Sequence, residues 1–348
     1  WTDKPNIIMF FVDDWAWSGS PVKMDDRMDN SMNQLVEMPN FETLSGQGMR
    51  FRNAYGSVMC VPSRACLLTG QSSARHHFTV EYSYTTYYDT RADYQEMPVI
   101  PNGVRKPLPE ELVSIPEALA PLGYKSAHSG KWHLDSDPGS EGYEEHDGNL
   151  NNSPGTTLED VTVIPPDFTN PKRMNEITDR TIAFMDKQLQ AGHPFYIQLS
   201  HYAQHEPREC LPASRARYQN HPHVVAYNGN KTNPDDISAR QDPAVWLGML
   251  NDLDQTLGQL MQELEDRGIA DNTYLIVMSD NGYRNQWQME DHPLHARKWW
   301  AWQGGVRVPM VVRGPGITAD SLCTANVVNY DLMPTFLEWA GGNPARLQ

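Results

Sequence analysis

The chain has 348 residues, of which 39% are hydrophobic and 21% are charged, a balance typical of a soluble globular protein and sufficient for one large α/β core. Its formal net charge of −16 argues against nucleic acid as a partner, because binding to phosphates depends on clustered Lys and Arg. The longest apolar run, residues 7–12, is far shorter than the roughly 20 residues of a membrane-spanning helix, so no membrane span is predicted.

The predicted elements alternate between short β-rich runs and helical patterns. In chain order, strands are predicted at Ile7–Val12, Tyr124–His128, Phe195–Leu199, Tyr274–Met278 and Val308–Val312. Helices are predicted from Cys60 to Gly70, after the capping-box pair Ser114 and Glu117, at Ile177–Leu189, and from Asp242 to Gly268. Two tracts are predicted to be irregular, Glu81–Leu108 and Asp135–Arg173. This order predicts an α/β fold with a large, mostly parallel sheet between helices.

The segment CVPSRACLLTG places a cysteine where a helix is predicted to begin. Pro62 suits a first helical turn and Gly70 is a stop signal, so Cys60 falls at the helix N-terminus. The free N–H groups there and the cation of Arg64 favour an anion. The alternative is that Cys60 is a small buried hydrophobe or half of a disulfide, and these eleven residues alone do not separate the two interpretations.

Oxygen ligands follow the two most hydrophobic predicted strands. Asp13 and Asp14 come directly after the first strand, and Asp280 and Asn281 follow the strand at Tyr274–Met278. In open α/β sheets ligands gather at the carboxyl ends of strands, so both pairs are expected to face one crevice. Three carboxylates and an amide match a hard cation such as Ca²⁺ or Mg²⁺. Either pair alone would suit an ordinary turn, but two pairs after buried strands favour a metal site.

Basic side chains follow the other predicted strands. The segment GKWH contains Lys131 and His133, the segment SHYAQHEP contains His201 and His205, and Lys298 precedes GGVRVP. Each of these residues alone would be interpreted as a solvated or locally paired side chain. Together they predict a metal site ringed by Lys, His and Arg around Cys60.

The order of these motifs resembles that of the type I sulfatases of the alkaline-phosphatase superfamily. The resemblance extends over essentially the whole chain, residues 1–348, as one catalytic domain. Its most specific motif is Cys-x-Pro-Ser-Arg followed by Leu-Thr-Gly. It implies an alkaline-phosphatase-like fold and a sulfuric ester hydrolase. The smaller C-terminal antiparallel subdomain that is common in the family is expected to be largely absent from this chain.

The resemblance also implies a role for each residue of the predicted site. In that family a formylglycine-generating enzyme, which reads the Pro-Ser-Arg context, oxidises the cysteine to formylglycine; the hydrate of this aldehyde is the nucleophile. At residue 60 the thiol itself is therefore not the intended nucleophile. Arg64 would hold the hydrate, Lys131 and Lys298 would clamp the sulfate, His205 would protonate the leaving alcohol and His133 would assist breakdown of the sulfated hydrate. Ca²⁺ would be bound by Asp13, Asp14, Asp280 and Asn281.

The flanking residues favour a sulfated carbohydrate as the substrate. Aromatic rings stack on sugars, and His and Arg bind carboxylates or sulfates. The residues predicted to contact substrate are His76, His77, His201, His295, Arg297 and Trp299, with Tyr82, Tyr84, Trp287 and His292 as further aromatic or His neighbours. Packing of the core or of a lid is the alternative for the aromatic residues. Trp299, Trp300, Trp302 and Gln303 stand where many relatives have small residues and a Glu, so the local packing and the substrate pocket are expected to differ.

Two other functions fit the same motifs. A phosphodiester or phosphonate monoester hydrolase of the same superfamily would use the same aldehyde chemistry, and a glycan-binding protein would retain a degenerate site. The chain begins at Trp1 without a Met or a signal-peptide pattern, and the resemblance implies a periplasmic or secreted protein. Conversion of Cys60 would leave three cysteines, so at least one is expected to be free unless chains pair.

Overall fold

A computed structural model describes residues 4–79, 108–109, 111–159, 164–229, 242–284 and 292–347. Its strands are β1 (Asn6–Val12), β2 (Met49–Tyr55), β3 (Lys125–Gly130), β4 (Glu145–His146), β5 (Phe195–Ser200), β6 (Thr273–Ser279), β7 (Arg307–Val308), β8 (Met310–Arg313) and β9 (Ser321–Val328). Its α-helices are α1 (Pro39–Gln47), α2 (Cys60–Thr69), α3 (Ser73–His76), α4 (Ile115–Leu119), α5 (Met174–Ala191), α6 (Pro212–Tyr218), α7 (Pro222–Gly229), α8 (Pro243–Asp266), α9 (Gln303–Val306) and α10 (Leu332–Trp339). Short 3₁₀ turns connect several of them.

The strands form one sheet in the order β4-β3-β5-β1-β6-β8-β2-β7, and β9 pairs with β2. Strands β4, β3, β5, β1 and β6 are parallel, whereas β8 runs antiparallel to both β6 and β2. The prediction of a mostly parallel sheet is therefore confirmed, and the parallel part carries the two Asp motifs at the carboxyl ends of β1 and β6.

Helices cover both faces of this sheet, as the central strand β1 shows. Ile8, Phe10 and Val12 pack in a core with side chains of α1, α5 and α8. The alternate residues of the strand pack on the opposite face with side chains of α2, α4 and α10. Because both faces of β1 are buried, the strand is apolar throughout rather than alternating.

The predicted helices and strands are largely those observed. The Cys60 helix ends at Gly70 with φ 63°, and Asp242 caps α8 by accepting a hydrogen bond from the Ala244 N–H. The capping box of Ser114 and Glu117 begins α4, but the helix is only five residues long before a 3₁₀ turn that contains Pro121.

One strand was predicted to be continuous but is interrupted in the structure, and several elements were not predicted. The expected strand Val308–Val312 is two strands, β7 and β8, interrupted at Pro309, which has no N–H for a ladder hydrogen bond. The tract at residues 135–173, expected to be irregular, contains β4 and short 3₁₀ turns. The tract at residues 81–107 lies outside the described residues. The elements that were not predicted include β2, β9, α1 and α10.

None of the described helices is both long enough and apolar enough to span a bilayer. All four cysteines have free thiols, and Cys60, Cys66 and Cys210 are buried.

Candidate active site

The two Asp motifs meet at the carboxyl ends of β1 and β6, which are hydrogen-bonded neighbours. Residues 12 and 279 are paired in register, so Asp13 and Asp280 leave the sheet side by side. Asp14 has φ 60°, a left-handed conformation that Asp tolerates, and its N–H donates to Asp280 Oδ1 at 3.1 Å. Asn281 Nδ2 donates to Asp14 Oδ1 at 2.7 Å. The predicted convergence of the strand-end oxygens is therefore observed.

Helix α2 brings Cys60 onto this carboxylate cluster. Cys60 is fully buried, and its Sγ lies 3.2 Å from Asp13 Oδ1. Ligand atoms of Asp13, Asp14, Cys60 and Asp280 all lie within 4.8 Å of one another, a grouping that could hold a metal ion. The approach is close because Gly56, just before α2, has no Cβ; a Cβ there would meet the Asp280 carbonyl oxygen at 2.0 Å.

Ser63 and Asn329 fix α2 against β6. The Ser63 hydroxyl donates to the Asp280 carbonyl oxygen, and Asn329 Nδ2 donates to both the carbonyl and the hydroxyl oxygen of Ser63 at 2.8 Å. Asn329 lies in a 3₁₀ turn just after β9, so a distant part of the chain holds Ser63, one turn from Cys60, in place.

Three buried cations surround the cluster. Arg64, one turn along α2, donates to Asp280 Oδ2 at 3.1 Å and to the Lys131 carbonyl oxygen at 2.6 Å. Lys131, which follows β3, donates through Nζ to Asp13 Oδ2. Lys298 Nζ lies 2.5 Å from Asp14 Oδ1 and 3.0 Å from Cys60 Sγ. Three carboxylates and three fixed cations therefore share one buried pocket, which we call the strand-end pocket.

Burial and these neighbours set the protonation of the pocket. Burial alone would raise the pKa of Asp13, but Lys131 and the other cations lower it well below its usual value. Lys298 likewise outweighs burial and lowers the pKa of Asp14. Burial and the charge of Asp13 raise the pKa of Asp280 to about 7. Burial, with Asp13, also raises the pKa of the Cys60 thiol well above its usual value, so the thiol is protonated at neutral pH.

Two histidines border the pocket. His205 Nε2 lies 4.0 Å from Asp14 Oδ2, and its Nδ1 lies 2.6 Å from the Glu206 carbonyl oxygen. A carbonyl only accepts, so Nδ1 carries a proton in this contact. Burial first, and then Lys131 and Lys298, lower the pKa of His205 to about 3. His133 is also buried, and burial with Lys131 and Arg64 lowers its pKa well below the usual value.

Two pocket oxygens have no hydrogen-bond donor among the described residues. These are Asp14 Oδ2 and Asn281 Oδ1, and both are buried. An unpaired oxygen is costly to bury in a protein interior unless an ion, a water or a ligand pairs it. Together with the Asp13 and Asp280 carboxylates, these oxygens provide the hard donor set that a divalent cation prefers.

The predicted substrate-contacting residues separate into two groups. His76 and His201 are buried against other side chains: His76 Nε2 lies 3.3 Å from Cys66 Sγ, and His201 packs on Phe10 with ring centroids 4.4 Å apart. His77 is half-buried at the end of α3. The second group, His295, Arg297 and Trp299, flanks Lys298 and is partly or fully exposed. Tyr82, Tyr84 and Trp287 lie outside the described residues.

The sequence did not identify two groups that contact His205 and its loop. Asn152 Nδ2 lies 3.2 Å from His205 Nε2, and it lies in a tract predicted only as irregular. Glu209 is fully buried and accepts hydrogen bonds from Thr157, Leu158 and the Lys172 N–H, which joins the His205 loop to that same tract. No periodicity or motif marks either residue.

Comparison with known proteins identifies this arrangement. The Sulfatase family model matches residues 5–342 of the chain. A sulfatase of Formosa agariphila is 27% identical over 97% of the chain and 68% of its own length. The human N-acetylgalactosamine-6-sulfatase is 26% identical over 98% of the chain, which spans 63% of that relative's length.

Solved structures share the fold. The crystal structure of Ps i-CgsB in complex with k-i-k-neocarrahexaose matches 98% of the chain and 73% of its own with a TM-score of 0.73 at 24% identity. The phosphonate monoester hydrolase of Agrobacterium radiobacter matches 97% of the chain and 74% of its own with a TM-score of 0.69 at 17% identity. At these identities the likeness establishes the alkaline-phosphatase-like α/β fold.

Proposed function

The chain belongs to the sulfatase family, and on that premise we propose that it hydrolyses the sulfate ester of a sulfated carbohydrate. The nucleophile would be a formylglycine hydrate made from Cys60. A calcium ion would be held by Asp13, Asp14, Asp280 and Asn281.

The observation that carries this proposal is the convergence in the strand-end pocket. Residues that are far apart in the chain, from Asp13 to Lys298, place three carboxylates, three cations and Cys60 in contact within the interior. Burying so many charges is costly, so they are retained where their chemistry is used.

A calcium ion fits this pocket. The buried oxygens Asp14 Oδ2 and Asn281 Oδ1, which lack a hydrogen-bond partner, are ligand atoms that a hard cation would pair with. The three carboxylates and three cations cancel in formal charge, so a bound divalent cation would make the pocket net positive and attractive to a sulfate ester. When bound, calcium supplies charge stabilisation to the sulfate oxygens.

The state of Cys60 argues against the thiol itself as the nucleophile. The raised pKa of its thiol leaves it protonated, and a thiol is a weak nucleophile compared with a thiolate. A hydrated aldehyde at residue 60 supplies an attacking hydroxyl and a second geminal hydroxyl through which sulfate can later be expelled. Conversion would require a formylglycine-generating enzyme as a maturation partner.

The three cations have distinct positions for this reaction. Lys131 and Lys298 flank the carboxylate cluster from β3 and from the segment before α9, so their ammonium groups can hold two sides of a sulfate. Arg64 is held by Asp280 and by the Lys131 carbonyl oxygen, and it lies one turn from residue 60, where it can orient the hydrate. Cations fixed before reaction stabilise the charge that builds up in the transition state.

The histidines are placed for proton transfer. The Glu206 carbonyl holds the Nδ1 proton of His205, so Nε2 carries no proton in the neutral ring. His205 would therefore take up a proton at Nε2 before giving it to the leaving oxygen, and the negative charge of a bound sulfate ester would raise its pKa and favour that uptake. Asn152 contacts that same nitrogen and fixes the ring plane. His133 is buried two residues after Lys131, and its lowered pKa leaves the ring neutral, so it can take the proton whose loss expels sulfate.

A sulfated sugar is the substrate class that the relatives support. The human relative is named N-acetylgalactosamine-6-sulfatase, and the structural neighbour Ps i-CgsB is in complex with k-i-k-neocarrahexaose. By the same resemblance, we propose a periplasmic or secreted location.

The test uses the chain produced together with a formylglycine-generating enzyme and loaded with calcium. Mass spectrometry across Cys60 is expected to show the aldehyde or its hydrate, and an aryl sulfate is expected to have a higher kcat/KM than an aryl phosphonate. The reverse order of rates would make the protein a phosphonate or phosphodiester hydrolase. Sugar binding without turnover, in protein that carries both the aldehyde and calcium, would make it a glycan-binding protein.

A further inference from the structure

Three exposed tryptophans lie within four residues after the pocket residue Lys298 in the chain. Trp299, Trp300 and Trp302 are 40%, 57% and 57% exposed, and the only other exposed large hydrophobic side chains among the described residues are two valines. We call these three residues the tryptophan platform. Indole rings are large and apolar, so a cluster of them left in water indicates a surface that binds something.

Lys298 and Trp299 are consecutive residues, but the first belongs to the pocket and the second to the platform. Lys298 is 1% exposed and contacts Asp14, whereas the next residue, Trp299, points outward. Trp299 has φ 78°, a left-handed conformation that is costly for a bulky side chain, and its N–H donates to the Val58 carbonyl oxygen at 2.7 Å. This turn directs the lysine inward and the indole outward, so whatever the platform binds lies beside the sulfate clamp.

The contacts of Arg284 place the platform on the same side of the pocket as His205. The Arg284 guanidinium lies 5.2 Å from the centroid of the Trp299 ring, and its Nη1 lies 3.5 Å from Glu206 Oε2. Glu206 is the residue whose carbonyl oxygen holds His205 Nδ1. If His205 protonates the leaving alcohol, the sugar that bears this alcohol lies on the same side of the pocket as the platform.

The charges around the platform suit an anionic sugar. Arg297 Nη1 donates to the Arg284 carbonyl oxygen, and the His295 ring meets Trp302 edge-on with centroids 5.1 Å apart. Indole faces stack on the C–H faces of sugar rings, and guanidinium groups bind sulfate or carboxylate. Because Arg284 occupies one face of Trp299, the more exposed rings of Trp300 and Trp302 offer the open stacking faces.

We propose that the tryptophan platform binds the sugar residue adjacent to the one that loses its sulfate, so that the substrate is an oligosaccharide rather than a monosaccharide. This inference rests on the proposed sulfatase function. The platform is a specificity-determining surface: it holds a part of the substrate that does not react, and it contributes nothing to a substrate that lacks this part.

The first experiment compares two substrates in the same enzyme. Trp300→Ala and Trp302→Ala are assayed on 4-nitrophenyl sulfate and on sulfated oligosaccharides from carrageenan and chondroitin sulfate. The ratio of kcat/KM for the oligosaccharide to that for the aryl sulfate is expected to fall about tenfold in each variant, the scale of one lost aromatic contact. Trp300→Tyr is expected to restore most of the ratio. Val225→Ala, which removes an exposed apolar side chain on α7, is the matched control and is expected to leave the ratio at its wild-type value.

A binding measurement separates this inference from the proposed function. Titration calorimetry in the 348-residue Cys60→Ala chain, which cannot form the aldehyde, measures oligosaccharide affinity without turnover. Adding Trp302→Ala is expected to weaken the Kd about tenfold. If wild-type protein hydrolyses no sulfate ester, the proposed function fails, and Trp-dependent binding of the oligosaccharide would then show only that the platform binds sugar.

Other outcomes would overturn the platform inference while leaving the sulfatase function intact. One is turnover of the aryl sulfate with neither turnover nor binding of any tested oligosaccharide. Another is an equal loss of activity on both substrates, which would give the tryptophans a purely structural role. A third is an unchanged ratio with a shift in sedimentation on removal of the tryptophans, which would make the platform a contact between two copies of the chain.

Discussion

Among the described residues, two clusters of neighbouring buried carboxylates differ in what surrounds them. The strand-end pocket contains Asp13, Asp14 and Asp280. The middle of α8 contains Asp252 and Asp254, which are 3% and 1% exposed. Burial therefore does not distinguish one group from the other.

The hydrogen bonds of the α8 pair are those of structural carboxylates. Asp254 accepts from the N–H groups of Asn40 and Phe41 at 3.0 and 2.8 Å, which caps the N-terminus of α1. Asp252 accepts from the Leu211 N–H at 2.6 Å and from the Ser214 hydroxyl. Every carboxylate oxygen of this pair has a donor, so nothing is left for a ligand.

The pocket differs in two respects. Cations lower the pKa of Asp13 and Asp14 despite burial, although burial raises that of Asp280 to about 7, whereas burial raises the pKa of both Asp252 and Asp254 to about 6. The pocket also has orphaned oxygens, on Asp14 and Asn281. Fixed cations together with unpaired ligand atoms, rather than buried charge alone, therefore mark the site, and each of the following changes tests that distinction.

The largest effect is expected from Cys60→Ala. This change removes the atom from which the nucleophile would be made, so kcat on an aryl sulfate is expected to fall at least about ten-thousand-fold, the scale of losing a covalent nucleophile. Cys323→Ala, which removes a half-buried thiol in β9, is the control and is expected to keep its activity. Comparable activity in the two variants would exclude residue 60 as the nucleophile.

Removal of the cation is expected to have the next largest effect. Chelation of calcium should reduce kcat about a thousandfold, because several kcal/mol of charge stabilisation are lost, and added Ca²⁺ should restore it. Asn281→Ala should weaken calcium binding, measured by titration of the thermal unfolding midpoint with Ca²⁺. Asp254→Asn is the matched control: if it weakened calcium binding as much as Asn281→Ala does, the distinction between the two carboxylate groups would fail.

Loss of either lysine is expected to cost somewhat less. Lys131→Ala and Lys298→Ala should each reduce kcat by about a hundredfold or more, the effect of removing one positioned donor. Steady-state assays on an aryl sulfate measure this loss, and Lys125→Ala, which removes a half-buried lysine paired with Glu144 at the start of β3, is the control. A near-normal rate in either pocket variant would remove that lysine from the proposed mechanism.

Much of the pocket was predictable because its oxygens directly follow apolar runs. Asp13 and Asp280 continue strands that are buried on both faces, so their positions at one sheet edge follow from the fold. Lys131 and His205 were noted after predicted strands and Lys298 before one, but only the family resemblance gave them roles, since a basic residue beside a strand has no distinctive periodicity. These three side chains do border the pocket, as the motif order implied.

The positions of the remaining residues depend on the direction of their side chains, which the sequence does not predict. His201 directly follows β5, and its buried ring packs against Phe10 of the core. Asn152 reaches His205 from a tract without regular structure. The Asp252-x-Asp254 pair gave no signal at all, because two acids on an amphipathic helix are ordinarily solvated and only the packing of α1 and α6 against α8 buries them.

The smallest predicted effect is a pH-dependent one at Asp252. Its pKa of about 6 in the folded protein lies above the ordinary value of 3.8, so the folded state binds the proton more tightly than the unfolded state. The stabilisation from this group is therefore present below pH 3.8 and is lost as the pH rises through 6. Asn cannot ionise. Between pH 4.5 and 7.5 the free energy of unfolding of Asp252→Asn, relative to wild type, should therefore rise by about 1 to 3 kcal/mol.

Urea unfolding at several pH values measures this difference, and Asp254→Asn should change in the same direction. A difference that does not vary with pH would mean that these carboxylates ionise normally in the folded protein, and the contrast with the strand-end pocket would then rest on the orphaned oxygens alone.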